Sequence, residues 1–184
     1  MVLQEAAGAN GLLQVLAGAM LGLFGGVGTT AIWEGWVRPA RDRRNLARLL
    51  VAEIRLNRRE VEHMMASRRE SPGFVPLNLS LATATFDARS EAVGGLPEEL
   101  LPDVVELYAR FQNLNEVGAT VPPMLARVEE AARGSDREAE LAAELRGRLD
   151  ALFGGLERCS AAIDAVLPPL VRLARFRSEP PPRG

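Results

Sequence analysis

LRGRLDALFGGLERCSAAIDAVLPPLVRL, residues 145–173, is the stretch that decides the fold. Leu145, Leu149, Leu152, Leu156, Cys159, Ile163, Val166, Leu170 and Leu173 recur in it at alternating spacings of four and three. On a helix that spacing gathers all nine on one face, as in a bundle or coiled coil. A half-buried strand would need alternation by two. A helix of about eight turns with one continuous apolar seam needs partner helices to cover it. Pro168 and Pro169 predict a kink or an end within the seam. Ser135 with Glu138 forms a capping-box pattern just upstream. Downstream, Glu179–Gly184 is proline-rich and predicts a disordered tail over 178–184.

Partner helices are legible on the N-terminal side of the seam. A helix from about Ala40 to Arg69 carries Leu46, Leu50, Ile54, Val61 and Met64 as its apolar stripe. Ser71–Asn78 holds Pro72, Gly73 and Pro76 and predicts a loop. A helix from about Leu79 to Ala92 is expected next, capped by Asn78 or Ser80 and ended by Gly94-Gly95. Pro97, Glu98 and Glu99 suit another helix start, and Pro102 divides that turn from a main helix running to Val117, with Gly118 as its stop. Leu100, Val104, Leu107, Tyr108, Phe111 and Leu114 form its inward face. Thr120 would cap a separate short helix, Val121–Arg133, with Pro122 and Pro123 in its first turn. No segment reads as a strand, and the chain is expected to be all-α.

The N-terminal end has a different character. From Ala6 to Trp33 there are 28 residues without a charge, flanked by Glu5 and Glu34. About 20 apolar residues cross a bilayer core, so this segment predicts one transmembrane helix with room to tilt. The alternative, a buried helix of a soluble core, seldom runs so long without a charge. A cleaved signal peptide is disfavoured, because Glu5 is the sole charge before the apolar run and no small-residue cleavage site follows it. Trp33 and Trp36 close the span at headgroup level, and Arg38, Arg41, Arg43, Arg44 and Arg48 follow against Asp42 alone. By the positive-inside rule that end is cytoplasmic and the N-terminus lies outside, as for a bacterial inner-membrane protein. The arginines could also meet anionic lipid heads.

Within the span, Asn10, Gln14, Gly18, Gly22, Gly26 and Thr30 recur every four residues and form one strip. Small residues let a second helix backbone approach closely, and the amides can hydrogen-bond across it. The strip therefore predicts a transmembrane partner, either a helix of another subunit or a second copy of the chain. The expected organisation is a membrane anchor over 1–37, a cytosolic helical bundle over 38–177 and the tail.

Whole-chain averages conceal this division. The 184 residues carry 22 basic and 24 acidic side chains, a net charge of −2, and mean hydropathy is +0.00 with a pI near 5.6. Yet residues 35–70 hold ten Arg and five acids, whereas 71–184 hold twelve Arg and seventeen acids. The acidic pI argues against a dedicated nucleic-acid binder. The single cysteine, Cys159, excludes an intrachain disulfide, and the single histidine, His63, excludes His-rich metal chemistry. Cys159 occupies the seam, which favours a small buried hydrophobe over a Cys159–His63 dyad. Gly25-Gly26-Val27-Gly28 lies inside the span and cannot cradle phosphate. All basic residues are Arg, so no lysine amine is available.

Glu53, Asn57, Tyr108 and Asn115 fall on otherwise apolar faces. They could line a small polar pocket, or form a buried hydrogen-bonded pair of amides that fixes helix register. The second is favoured, because two amides can satisfy one another.

Ala52-Glu53-Ile54 followed by Asn57, then Leu96-Pro97-Glu98, Leu107-Tyr108 and Leu114-Asn115, resembles a pattern in uncharacterised bacterial single-pass membrane proteins with a helical cytosolic domain. The resemblance covers about residues 45–118 and implies an N-terminal span but no activity. With no converging nucleophile, base and orienting group, an enzyme is not expected, nor is a cofactor, a metal or a small-molecule substrate. The expectation is a non-enzymatic accessory or scaffold subunit of a larger membrane complex, with energy-converting assemblies among the candidates. The alternative is a homo-oligomeric anchor or sensor with a cytosolic interaction domain.

Overall fold

Leu46, Leu50, Ile54, Asn57, Val61 and Met64 recur at helical spacing and are buried along the inner face of the first long helix, α1 (Arg38–Glu70). A π-helical turn, Trp33–Val37, leads into it. The computed structural model describes residues 33–131 and 133–175. Two very short helices follow, α2 (Ala84–Ala88) and α3 (Ser90–Val93), and then two long ones, α4 (Leu101–Glu130) and α5 (Asp136–Arg175). The described chain is all-α, with no strand among the described residues. It divides into two units between Asp42 and Arg43, and of the first only Trp33–Asp42 is described.

The second unit is a bundle of three long helices, and side-chain contacts give its topology. Arg48 donates from Nε to the Ala174 carbonyl, Arg58 pairs with Asp164 at 3.2 Å, and Arg68 reaches Asp150 at 3.4 Å. The partner number falls as the α1 number rises, so α1 and α5 are antiparallel. Leu114 lies against Gly155, while Asp103 and Leu107 share a surface groove with Ala162 and Val166, so α4 and α5 are antiparallel as well. It follows that α1 and α4 run parallel. A short hairpin cannot join parallel helices, and the chain must return the length of the bundle between them. Residues 71–100 make that return.

The core is continuous across all four segments. Leu50, Ile54 and Val61 of α1, Val104, Leu107, Tyr108, Phe111 and Val121 of α4, and Leu152, Leu156, Cys159, Ile163 and Leu170 of α5 are essentially inaccessible. Leu81, Val93 and Leu96 of the return segment join them. Eight of the nine seam residues of α5 are buried, with Leu173 partly exposed at its end. The 135/138 pattern caps the start of α5: the Glu138 N–H donates to Ser135 Oγ at 3.1 Å. The Glu138 carboxylate accepts from the Gly134 N–H instead of that of Ser135.

Several expectations are corrected. The helix expected at Leu79 starts at Ala84, and residues 74–83 lie outside any helix or strand. Gly118 does not stop α4, and there is no separate helix from Val121 to Arg133. One helix runs through Gly118, Pro122 and Pro123 to Glu130. Val121 and Met124, buried beside the prolines, hold it against the bundle despite the lost N–H donors. Pro168 and Pro169 likewise do not end α5, which continues to Arg175 with Val166, Leu167 and Leu170 buried around them.

The Ala6–Trp33 span lies outside the described residues except for Trp33, as does the tail from residue 178. Among the described residues no helix is long and apolar enough to cross a membrane.

Candidate functional site

The polar side chains of the core converge on the return segment. In an extended chain the N–H and C=O of one residue point to the same side, and those of the next residue point to the other. Asn115 of α4 takes one side: its Oδ1 accepts from the Leu81 N–H at 2.7 Å and its Nδ2 donates to the Leu81 C=O at 2.8 Å. Asn57 of α1 takes the other, with Oδ1 accepting from the Ala82 N–H at 2.7 Å and Nδ2 donating to the Ala82 C=O at 2.8 Å. Each amide thus supplies the donor and acceptor that a neighbouring strand would supply. The pattern also fixes the orientation of each amide, since a flipped group would set donor against donor.

This differs from a pair of asparagines bonded to each other. The two side chains come from different helices and are kept apart by the segment they hold. A helix over 79–83 would have satisfied its own backbone; an extended segment inside a core needs outside partners, and the amides provide them.

Glu53 extends the clamp by one turn of α1. Its Oε2 accepts from the Thr85 N–H at 2.7 Å, satisfying one of the free donors at the start of α2. Phe86 then stacks on Tyr108 at 4.3 Å between ring centroids, and Tyr108 meets Phe111 edge-on at 5.3 Å. The Tyr108 hydroxyl and Glu53 Oε1 are both buried without a hydrogen-bond partner. Burial first, then the charge of Glu53, holds the phenol far above its usual titration range.

Sequence reasoning singled out all four polar residues but missed the segment they grip. The missed signal was the glycine at 118. A Cβ on Gly118 would lie 3.1 Å from Leu79 Cβ and 3.2 Å from its Cδ2. That glycine therefore lets the segment approach α4 and is no helix stop.

The remaining candidate residues stand apart from the clamp. Cys159 is buried, and burial pushes its thiol up to about 11, against a smaller opposing effect of Arg110. His63 is exposed on α1, so no dyad forms with it. Trp33 is half exposed; Arg38, Arg41 and Arg43 are exposed, and Arg44 is partly buried. The Trp36 side chain and Asn10, Gln14, Gly18, Gly22 and Gly26 lie outside the described residues. Compared with known proteins, the chain matches no family model, no curated protein and no solved structure.

Proposed function

We propose that the protein is a membrane-anchored structural or accessory subunit, held by one span over Ala6–Trp33, with its helical domain in the cytoplasm of a bacterial cell. The observation that carries this reading is the uncharged 28-residue stretch followed by a run of arginines. The Gly18, Gly22 and Gly26 strip would pack against transmembrane helices of a larger complex. The resemblance of residues 45–118 to single-pass proteins with a helical cytosolic domain points the same way. The clamp supports a scaffold over a catalyst: Asn57, Asn115 and one Glu53 oxygen are occupied by the chain's own backbone.

Membranes washed with alkaline carbonate test the anchor. Retention of the chain until detergent is added is expected, and release by the wash refutes it. Purification in mild detergent with mass measurement then reads the partners: foreign subunits in fixed ratio are expected, and Gly22→Leu should lose them. A second reading, a homo-oligomeric anchor or sensor, is favoured by an apolar stripe on the outer face of α1.

A further inference from the structure

Helix α1 has two apolar faces, of which the bundle uses one. Leu49 and Leu56 are 47% and 58% exposed, seven residues apart on the other face. They belong to a series, Asn45, Leu49, Ala52, Leu56, Arg59 and His63, at spacings of four, three, four, three and four. All six side chains are exposed, and the series lies roughly 130° round the helix from the buried stripe at 100° per residue. A run of alternating fours and threes is the pattern by which one helix meets another in a coiled coil.

We infer that this face pairs two copies of the chain side by side, with their α1 helices parallel. Leu49 and Leu56 occupy the positions that meet their own counterparts across a two-fold axis, and Ala52 fills the layer between them. The flanking charges identify the occupant. In parallel register Arg55 stands beside Glu60 of the second copy, five residues further on, and symmetry forms that pair twice. Neither side chain makes an ion pair within the chain among the described residues, and Arg55 is exposed. Asn45 at one end and Arg59 and His63 at the other bound the apolar part and limit sliding.

Two leucine layers are fewer than the three or four heptads of a free-standing coiled coil. The contact thus needs the high local concentration of two copies tethered in one membrane. The inference rests on the anchor and deepens the homo-oligomeric reading by naming its interface.

The test uses the full chain in its membrane. Cys159 is buried, so thiols introduced at the surface can be oxidised selectively. Coiled-coil positions of this kind bring Cα atoms within the range of about 4.4–6.8 Å that a disulfide spans. Leu49→Cys and Leu56→Cys should each give a cross-linked homodimer on mild oxidation, whereas Glu116→Cys, exposed on α4, should not. Arg55→Glu should cut the Leu56→Cys yield severalfold, and adding Glu60→Arg should restore it. The inference is overturned if membrane-retained chain of unchanged helicity cross-links no better at 49 and 56 than at 116. Cross-links at those positions to a different protein overturn it too. If carbonate strips the chain from the membrane, the anchor reading fails first, and the tethered pairing falls with it.

Discussion

Asn57 carries more of the clamp than Asn115, because it is 1% exposed while Asn115 is partly open to water. Truncation leaves the part-buried Ala82 N–H and C=O unpaired, at about 1–3 kcal/mol for each group. We expect Asn57→Ala to lower unfolding free energy by about 2–4 kcal/mol and Asn115→Ala by less, read from urea titrations. Tyr108 gives the opposite contrast within the same site. Its hydroxyl has no partner, so Tyr108→Phe should leave stability unchanged or raise it by up to about 1 kcal/mol. A large loss in Tyr108→Phe would mean that the hydroxyl bonds to Glu53 after all. Cys159 adds a pH dependence. Its thiol titrates at about 11 when folded against an ordinary 9, so the folded state holds the proton more tightly. Stability from this group is full below pH 9 and lost as pH rises towards 11. The Tyr108 phenol, also raised, adds a loss in the same direction above pH 10. The melting temperature should therefore fall between pH 9 and 11, and fall less in Cys159→Ala; equal slopes would exclude Cys159 as a cause.

At the scale of elements, the periodic helices were legible and the exceptions were not. The seam of α5 and the stripe of α1 follow from spacing alone, because the same contacts recur every turn. Leu79–Thr83 is not helical because tertiary partners decide its conformation. Asn57 is 25 positions away in sequence and Asn115 is 34, beyond any local pattern. Gly118 misled for a related reason: a glycine that ends a helix and one that admits a neighbour look alike in sequence. The structure separates such glycines. Gly118→Val would push on Leu79, which is fixed by the clamp two residues later, and should cost about 1–3 kcal/mol. Gly147 of α5 meets nothing within 4 Å, so Gly147→Ala should add about 0.5–1 kcal/mol by helix propensity. Opposite signs in thermal melts are the expected outcome. A stabilising Gly118→Val would show that the segment yields to α4.

At the scale of the whole molecule, the chain's averages cancel an uncharged N-terminal stretch against a charged bundle, and the two parts should separate physically. Among the described residues, every buried member of the connected core lies between Leu46 and Leu170, within the second unit. Its polar core groups find their partners there as well: Asn57 and Asn115 grip Leu81 and Ala82, and Glu53 holds Thr85. Among the described residues, none of these contacts involves a residue before Arg43. The exposed Leu49 and Leu56 remain, but two leucine layers without a tether hold copies together only weakly. A chain of residues 43–184 should thus be soluble and helical by circular dichroism, unfold in one cooperative transition and sediment as a monomer at micromolar concentration. The full chain should stay with the membrane. If 43–184 is helical but melts without cooperativity, the first unit contributes to the core and the two parts fold as one.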